Sequence, residues 1–201
     1  MTGAATRSRL IALRQQQSAA RLGHELLDRK REAILRELLQ RTGRRDRQRE
    51  LVRREGEEAW RGVAGAVADI GVRAFNAAAL AQPPSASVER QQTSVVGVVI
   101  PRLIARVSAF TPQYGFGGTS ASLDAAGVSC THVVADLVTL AEEEEAVRRL
   151  RSALRKTVRR LQALEKIVIP ALNREASAVG AALEEEERDE SFRRKRWVAA
   201  Q

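Results

Sequence analysis

The stretch Val147–Leu172, VRRLRSALRKTVRRLQALEKIVIPAL, constrains the fold of this chain more than any other. In steps of three and four it gives Val147, Leu150, Leu154, Thr157, Leu161, Leu164, Val168 and Ala171. That is a heptad seam with one polar member, and the positions around it are mostly Arg, Lys, Glu and Gln. So narrow an apolar stripe cannot line a thick core. It requires a second helix laid along it.

The start of the chain supplies that partner. Leu10, Leu13, Ala20, Leu27, Ile34 and Leu38 repeat the spacing, with Gln17, His24 and Arg31 as polar members. Thr6 is placed to cap the helix. Glu25–Arg29, Glu32–Arg36 and Glu37–Arg41 put an acid four residues before a base, the favourable order. From Gln40 to Arg54 the pattern turns almost wholly polar, so a helix there is either supported by partners or frayed. Residues 1–57 are predicted as one long helix. Residues 119–201 are predicted as the other, starting between Thr119 and Thr131. The two pair antiparallel, with both termini at one end. Pro170, within the second pattern, removes a backbone donor and is expected to bend or locally open the helix.

Residues 58–118 read as an insertion. The Ala- and Gly-rich 57–81 segment is helical, with Trp60, Val63, Val67, Ile70 and Ala74 on one face. Its small residues Gly62, Ala66 and Ala68 permit close helix approach. Pro83 and Pro84 end it. Val95–Leu103 is β-branched and reads as a strand, with a return strand near Ile104–Phe110. Pro112, Gly115, Gly117 and Gly118 mark a turn or loop. The predicted class is mainly α: a long antiparallel two-helix coiled coil carrying a smaller helix-plus-hairpin insertion.

Composition agrees with a thin molecule. Of 201 residues 44% are hydrophobic but only 3% aromatic, whereas thick cores draw heavily on aromatic side chains. The net charge is +9, and all but Lys30, Lys156, Lys166 and Lys195 of the 34 basic residues are Arg. This fits an acidic partner, nucleic acid included, or simply charged helix faces. No stretch is read as reaching the roughly 20 uncharged apolar residues of a membrane span. No signal peptide is expected, since Arg7 and Arg9 are followed by a polar helix. The single Cys130 lacks a disulfide partner within the chain.

Nothing in the pattern is catalytic. His24 and His132 lack companions at ligand spacing. The runs Glu142–Glu145 and Glu184–Glu187 point around a helix and do not converge on one ion. No metal or cofactor is expected. The basic cluster Arg193-Arg194-Lys195-Arg196, before Trp197, suits a nucleic-acid tail or an acidic protein cavity.

Three blocks resemble the D subunit, the central stalk component of the V/A-type rotary ATPases. The first is Thr6–Ala33, with Arg21-Leu22-Gly23-His24 and Arg29-Lys30-Arg31. The second is Gly97–Pro101 followed by Tyr114-Gly115-Phe116 and Thr119 to Ala125. The third is Leu161–Leu172, followed by Glu187-Arg188-Asp189-Glu190, Phe192 and Arg193–Arg196. They span nearly the whole chain in the family's order. The 57–81 and Gly127–Thr131 stretches look less helical than the family usually is.

The resemblance implies a non-catalytic rotor shaft, one copy per complex, on the cytoplasmic face of the membrane. Its paired termini would enter a hexamer of catalytic A and non-catalytic B subunits, contacting it through Arg7, Arg9, Arg188, Arg193, Arg194, Lys195 and Arg196. The F subunit would bind alongside. The C subunit, the socket on the membrane rotor ring, would receive the middle region through Val98, Val99, Pro101, Tyr114 and Phe116. An Arg-rich coiled coil that binds nucleic acid, or serves as an adaptor, is the competing reading.

Overall fold

The computed structural model describes residues 6–115 and 117–199. In chain order the elements are helix α1 (Arg7–Ala81), strands β1 (Ala86–Val95) and β2 (Val98–Val107), helix α2 (Ala121–Ala163), a π-helical turn (Leu164–Val168) and helix α3 (Ile169–Ala199). The protein is mainly α, with its terminal segments paired antiparallel and a two-stranded hairpin between them. Two compact units divide the chain: Met1–Ala33 with Leu154–Gln201, and Ile34–Ala153.

In the terminal unit, the Thr6 hydroxyl accepts from the Arg9 N–H at 3.2 Å and caps α1. Arg7 pairs with Glu187 and Arg9 with Glu175, each at 2.6 Å. Gln17 Nε2 donates to the Leu172 carbonyl. Partners rise along α1 as they fall along α3, which defines an antiparallel pair. Its apolar core is Leu13, Ala176 and Val179, backed by Leu10, Leu172 and Leu183.

The expected seam shifts here. Leu161 is buried and Leu164 half-buried, but Val168 is 38% exposed and Ala171 is exposed. Burial passes instead to Ile169, Leu172, Ala176 and Val179. The cause is the π turn, where the Ile169 N–H bonds back to the Leu164 carbonyl. A π turn inserts one extra residue, which moves the apolar phase by one position. The seam spacing therefore ends at Leu164 and resumes one residue late. The local opening lies in the turn just before Pro170, which itself follows within α3.

In the middle unit, the Gln40–Arg54 stretch is helical throughout and does not fray. Arg41 pairs with Glu143, Arg49 with Glu144, and Gln48 Nε2 donates to Asp136 Oδ1 at 2.8 Å. Polar partners on α2 thus replace the missing apolar seam. Gly43 and Gly56 stay within the helix; the break comes at Gly71, with φ 81 and ψ 154. That region is reserved for glycine, and α1 consists of two helical stretches that meet there at a kink. The inward face of the segment is Ala59, Val63, Ala66 and Ile70, and Trp60 is 73% exposed, one position off the expected face. Gly62 lies close to Ala126: a Cβ there would sit 3.7 Å from the Ala126 Cα. Gly127–Thr131 is helical as well.

α1 and the helix over Ala121–Val198 each contain an 18-residue window that, by length and composition alone, would admit a membrane span. The sequence reading of no such stretch is corrected to that extent. In the middle unit, Ala66, Ala78, Leu123 and Ala126 form a buried apolar cluster.

Candidate interaction surfaces

The hairpin has a different register from the one expected. β1 is Ala86–Val95, a polar strand exposed along almost its whole length, and it pairs antiparallel with β2 from Ala86↔Val107 to Val95↔Val98. The turn is Val96-Gly97, with φ 53 and 70. Positive φ at both central residues defines a type I′ turn, the form whose twist matches a hairpin. Val96 carries strain in this role, because left-handed backbone crowds a β-branched side chain.

β2 docks on α2 through backbone. The Leu103 N–H donates to Glu142 Oε2 at 2.6 Å, and Arg149 Nη1 donates to the Val99 carbonyl at 2.9 Å. Val99, Pro101 and Leu103 alternate, so Pro101 occupies an outward position where a missing N–H breaks no ladder bond. Arg149 is held by Glu145, which also pairs with Arg148. Hydrogen bonds from Arg148 and then Arg149 pull the Glu145 carboxyl down to about 2. Of the middle residues expected to face a partner, Pro101 is buried, Val98 and Tyr114 are half-buried, and Val99 is exposed. Phe116 lies outside the described residues.

The loop after β2 is anchored. Gln82 Nε2 donates to the Thr111 carbonyl at 2.7 Å, and Gln82 Oε1 accepts from the Gln113 N–H at 3.1 Å. The Tyr114 hydroxyl donates to Asp124. Burial first, and then that carboxylate, push the Tyr114 phenol up to about 12. Burial also raises the Cys130 thiol. Phe110, Tyr114, Cys130 and Val134 line part of an apolar cavity of about 260 Å³.

On the terminal unit Arg7, Arg188 and Arg193–Arg196 are exposed and Arg9 is half-buried, and three of them engage neighbours on the same helix. Arg188 pairs with Glu184 and Glu185, and Arg194 with Glu190. Arg193 Nε donates to the Asp189 carbonyl. Arg7 and Arg9 pair across to α3, as above. Exposed Phe192, Trp197 and Val198 accompany Arg193–Arg196. Seam residues Leu13, Ile34, Leu38, Val147, Leu150 and Leu161 are buried, together with Thr157. Leu10, Ala20, Leu27, Leu154 and Leu164 are half-buried. Among the described residues no three His, Cys, Asp or Glu side chains gather as a metal would need.

Sequence reasoning missed the cross-helix polar set of Arg41, Gln48, Glu143 and Asp136. The signal was present: these residues fall at the same three-and-four steps as the apolar seam.

The architecture is that of a long-helix coiled-coil protein with a hairpin insertion. The family model of the ATP synthase D subunit matches residues 9–199. The chain belongs to that family. It is 35% identical to the V-type ATP synthase D subunit of Thermotoga neapolitana over 197 residues, covering 98% of this chain and 97% of the relative. It is 34% identical to the A-type ATP synthase D subunit of Methanopyrus kandleri over 194 residues, covering 95% and 83%. The A-type ATP synthase D subunit of Thermococcus kodakarensis is 32% identical over 197 residues, covering 96% and 92%.

Proposed function

We propose that this chain is the non-catalytic central-stalk subunit of an A/V-type ATP synthase, a rotor shaft that couples ATP hydrolysis or synthesis to ion translocation. The observation that carries this is the family match over residues 9–199, with relatives of the same name aligned along nearly their full length.

The mechanism follows from shape. Two paired helices have no threefold symmetry. Placed in a ring of three A and three B subunits, they present a different face to each catalytic interface. Closure of one site then favours one shaft angle, and turning the shaft changes which site is closed. This is a coupling free energy between binding equilibria. Nucleotide is held by the ring and not by this chain. Under this reading the terminal unit, with Arg7, Arg9, Arg188 and Arg193–Arg196, contacts the ring. The middle unit, with Val98, Val99 and Tyr114, meets the C subunit that forms the socket, and the F subunit lies alongside. The protein is peripheral, on the cytoplasmic face, in one copy.

The engagement of Arg188 and Arg194 with nearby glutamates speaks against a nucleic-acid tail, since those charges are already partly neutralised. The test is affinity capture of the tagged full chain from its native membranes, with identification of co-purifying subunits. Recovery of A and B subunits, one copy of this chain to three of each, is expected. Recovery of DNA or RNA without them, lost on raising salt, overturns the reading.

A further inference from the structure

The polar seam of the middle unit contains two carboxyl groups face to face. Glu55 on α1 lies against Asp136 on α2, and Glu55 Oε2 is shut off from solvent with no donor group supplied to it. The Asp136 side chain is fixed from the other side. Gln48 Nε2 donates to Asp136 Oδ1 at 2.8 Å and to the Asp136 backbone carbonyl at 3.3 Å. Glu55 also lines an open cleft of about 280 Å³ with Glu58, Val128, Ser129 and His132. Water therefore reaches the edge of the pair, but not that oxygen.

A buried acceptor with no donor is costly, and two adjacent carboxylates repel. One proton removes both penalties, because a carboxyl group donates where a carboxylate only accepts. We propose that Glu55 and Asp136 share one proton as a clasp between α1 and α2, so that the helix pairing of the middle unit tightens on protonation and loosens when the proton leaves.

The surrounding charges set the balance. On α1, Arg54 favours ionised Glu55 and Glu58 adds a further acid. On α2, His132 opposes protonation of Glu55 while Asp136 favours it. The hydrogen bond that a shared proton makes to Asp136, then burial, raise the Glu55 carboxyl above the ordinary value of 4.5, against the smaller opposing effects of His132 and Arg54. A carboxyl raised in the folded state is stabilising below its unfolded value. That contribution is lost as pH rises through the folded value. The pairing should therefore weaken on the alkaline side of 4.5. The clasp is a property of this chain alone and does not depend on its place in a larger assembly.

The experiment is a carboxyl-carbon NMR titration of the full wild-type chain, with the same titration of Asp136→Asn. Glu55 is expected to titrate above 4.5 in the wild type and to move back toward it in Asp136→Asn. Amide exchange in α2 gives the second reading. Glu55→Gln, which keeps the shape and can donate, should abolish the pH dependence of the amide protection factors around Asp136 and raise them at about pH 8. A Glu55 that titrates at the ordinary value, or one equally displaced in Asp136→Asn, overturns the clasp. So do protection factors in Glu55→Gln that keep the wild-type dependence on pH.

Discussion

Arg41 Nη1 lies 3.2 Å from Glu143 Oε1, with side-chain exposures of only 13% and 12%. Glu37 holds the same guanidinium from within α1. The second oxygen of Glu143 is buried and accepts no hydrogen bond. Removing Arg41 therefore strands a charge. Arg41→Ala should destabilise the chain by about 3 kcal/mol, the usual cost of breaking a buried pair from one side. Arg7→Ala, at an exposed pair, should change little. Denaturant unfolding of the two variants checks the contrast; equal effects would contradict it.

Phe110 packs on Gly127 so closely that a Cβ at that position would fall 2.2 Å from Phe110 Cζ. Helix propensity alone predicts that Gly127→Ala stabilises by about 1 kcal/mol. The displaced ring reverses the sign. Gly127→Ala should destabilise by about 1–2 kcal/mol, read as a lowered Tm. Phe110→Ala combined with Gly127→Ala should recover part of the helix gain.

Val96 holds a left-handed backbone at the hairpin turn. Val96→Asn places there a residue that tolerates it, followed by Gly97. The substitution should stabilise the hairpin by about 1 kcal/mol, seen as slower amide exchange in β1 and β2. Faster exchange would show that the valine side chain contributes more than its strain costs.

Two causes could place the π turn before Pro170: the proline, or the one-residue phase difference between the flanking seams. Leu161 and Leu164 lie on one phase, and Leu172, Ala176 and Val179 on the next. Pro170→Ala should therefore keep the turn and the helix pair, while deletion of the exposed Ile167 should remove the turn and preserve the pairing. Backbone chemical shifts over Leu164–Val168 report both. In the assembled complex, deletion of Ile167 should alter the coupling of ATP turnover to ion pumping. Wild-type coupling would show that the turn has no part in the shaft.

The long helices were legible because an apolar seam on a charged background admits few other structures. What escaped the sequence was decided by contacts between distant residues. Gln40–Arg54 looked unsupported because its partners, Asp136, Glu143 and Glu144, lie about ninety residues further on. β1 carries no apolar alternation and is exposed along almost its whole length, so the hairpin was read one strand late. Val168 fitted the heptad until one extra residue turned it outward by about 100°. Trp60 drew attention by size, yet Ala66 is a buried position of that segment and Gly62 makes the close approach to Ala126. The basic residues were legible as positions, but the pairing of Arg7 with Glu187 and of Arg9 with Glu175 joins opposite ends of the chain and shows only in the fold.

The most direct test of the shaft is rotation. The full complex is assembled with Val96→Cys in a Cys130→Ser background, the head is fixed to a surface, and a probe is attached at the new thiol. On addition of ATP the account predicts one-way rotation of the probe with three stops per turn, one for each catalytic interface. A probe that stays fixed to the head while ATP is hydrolysed would contradict it.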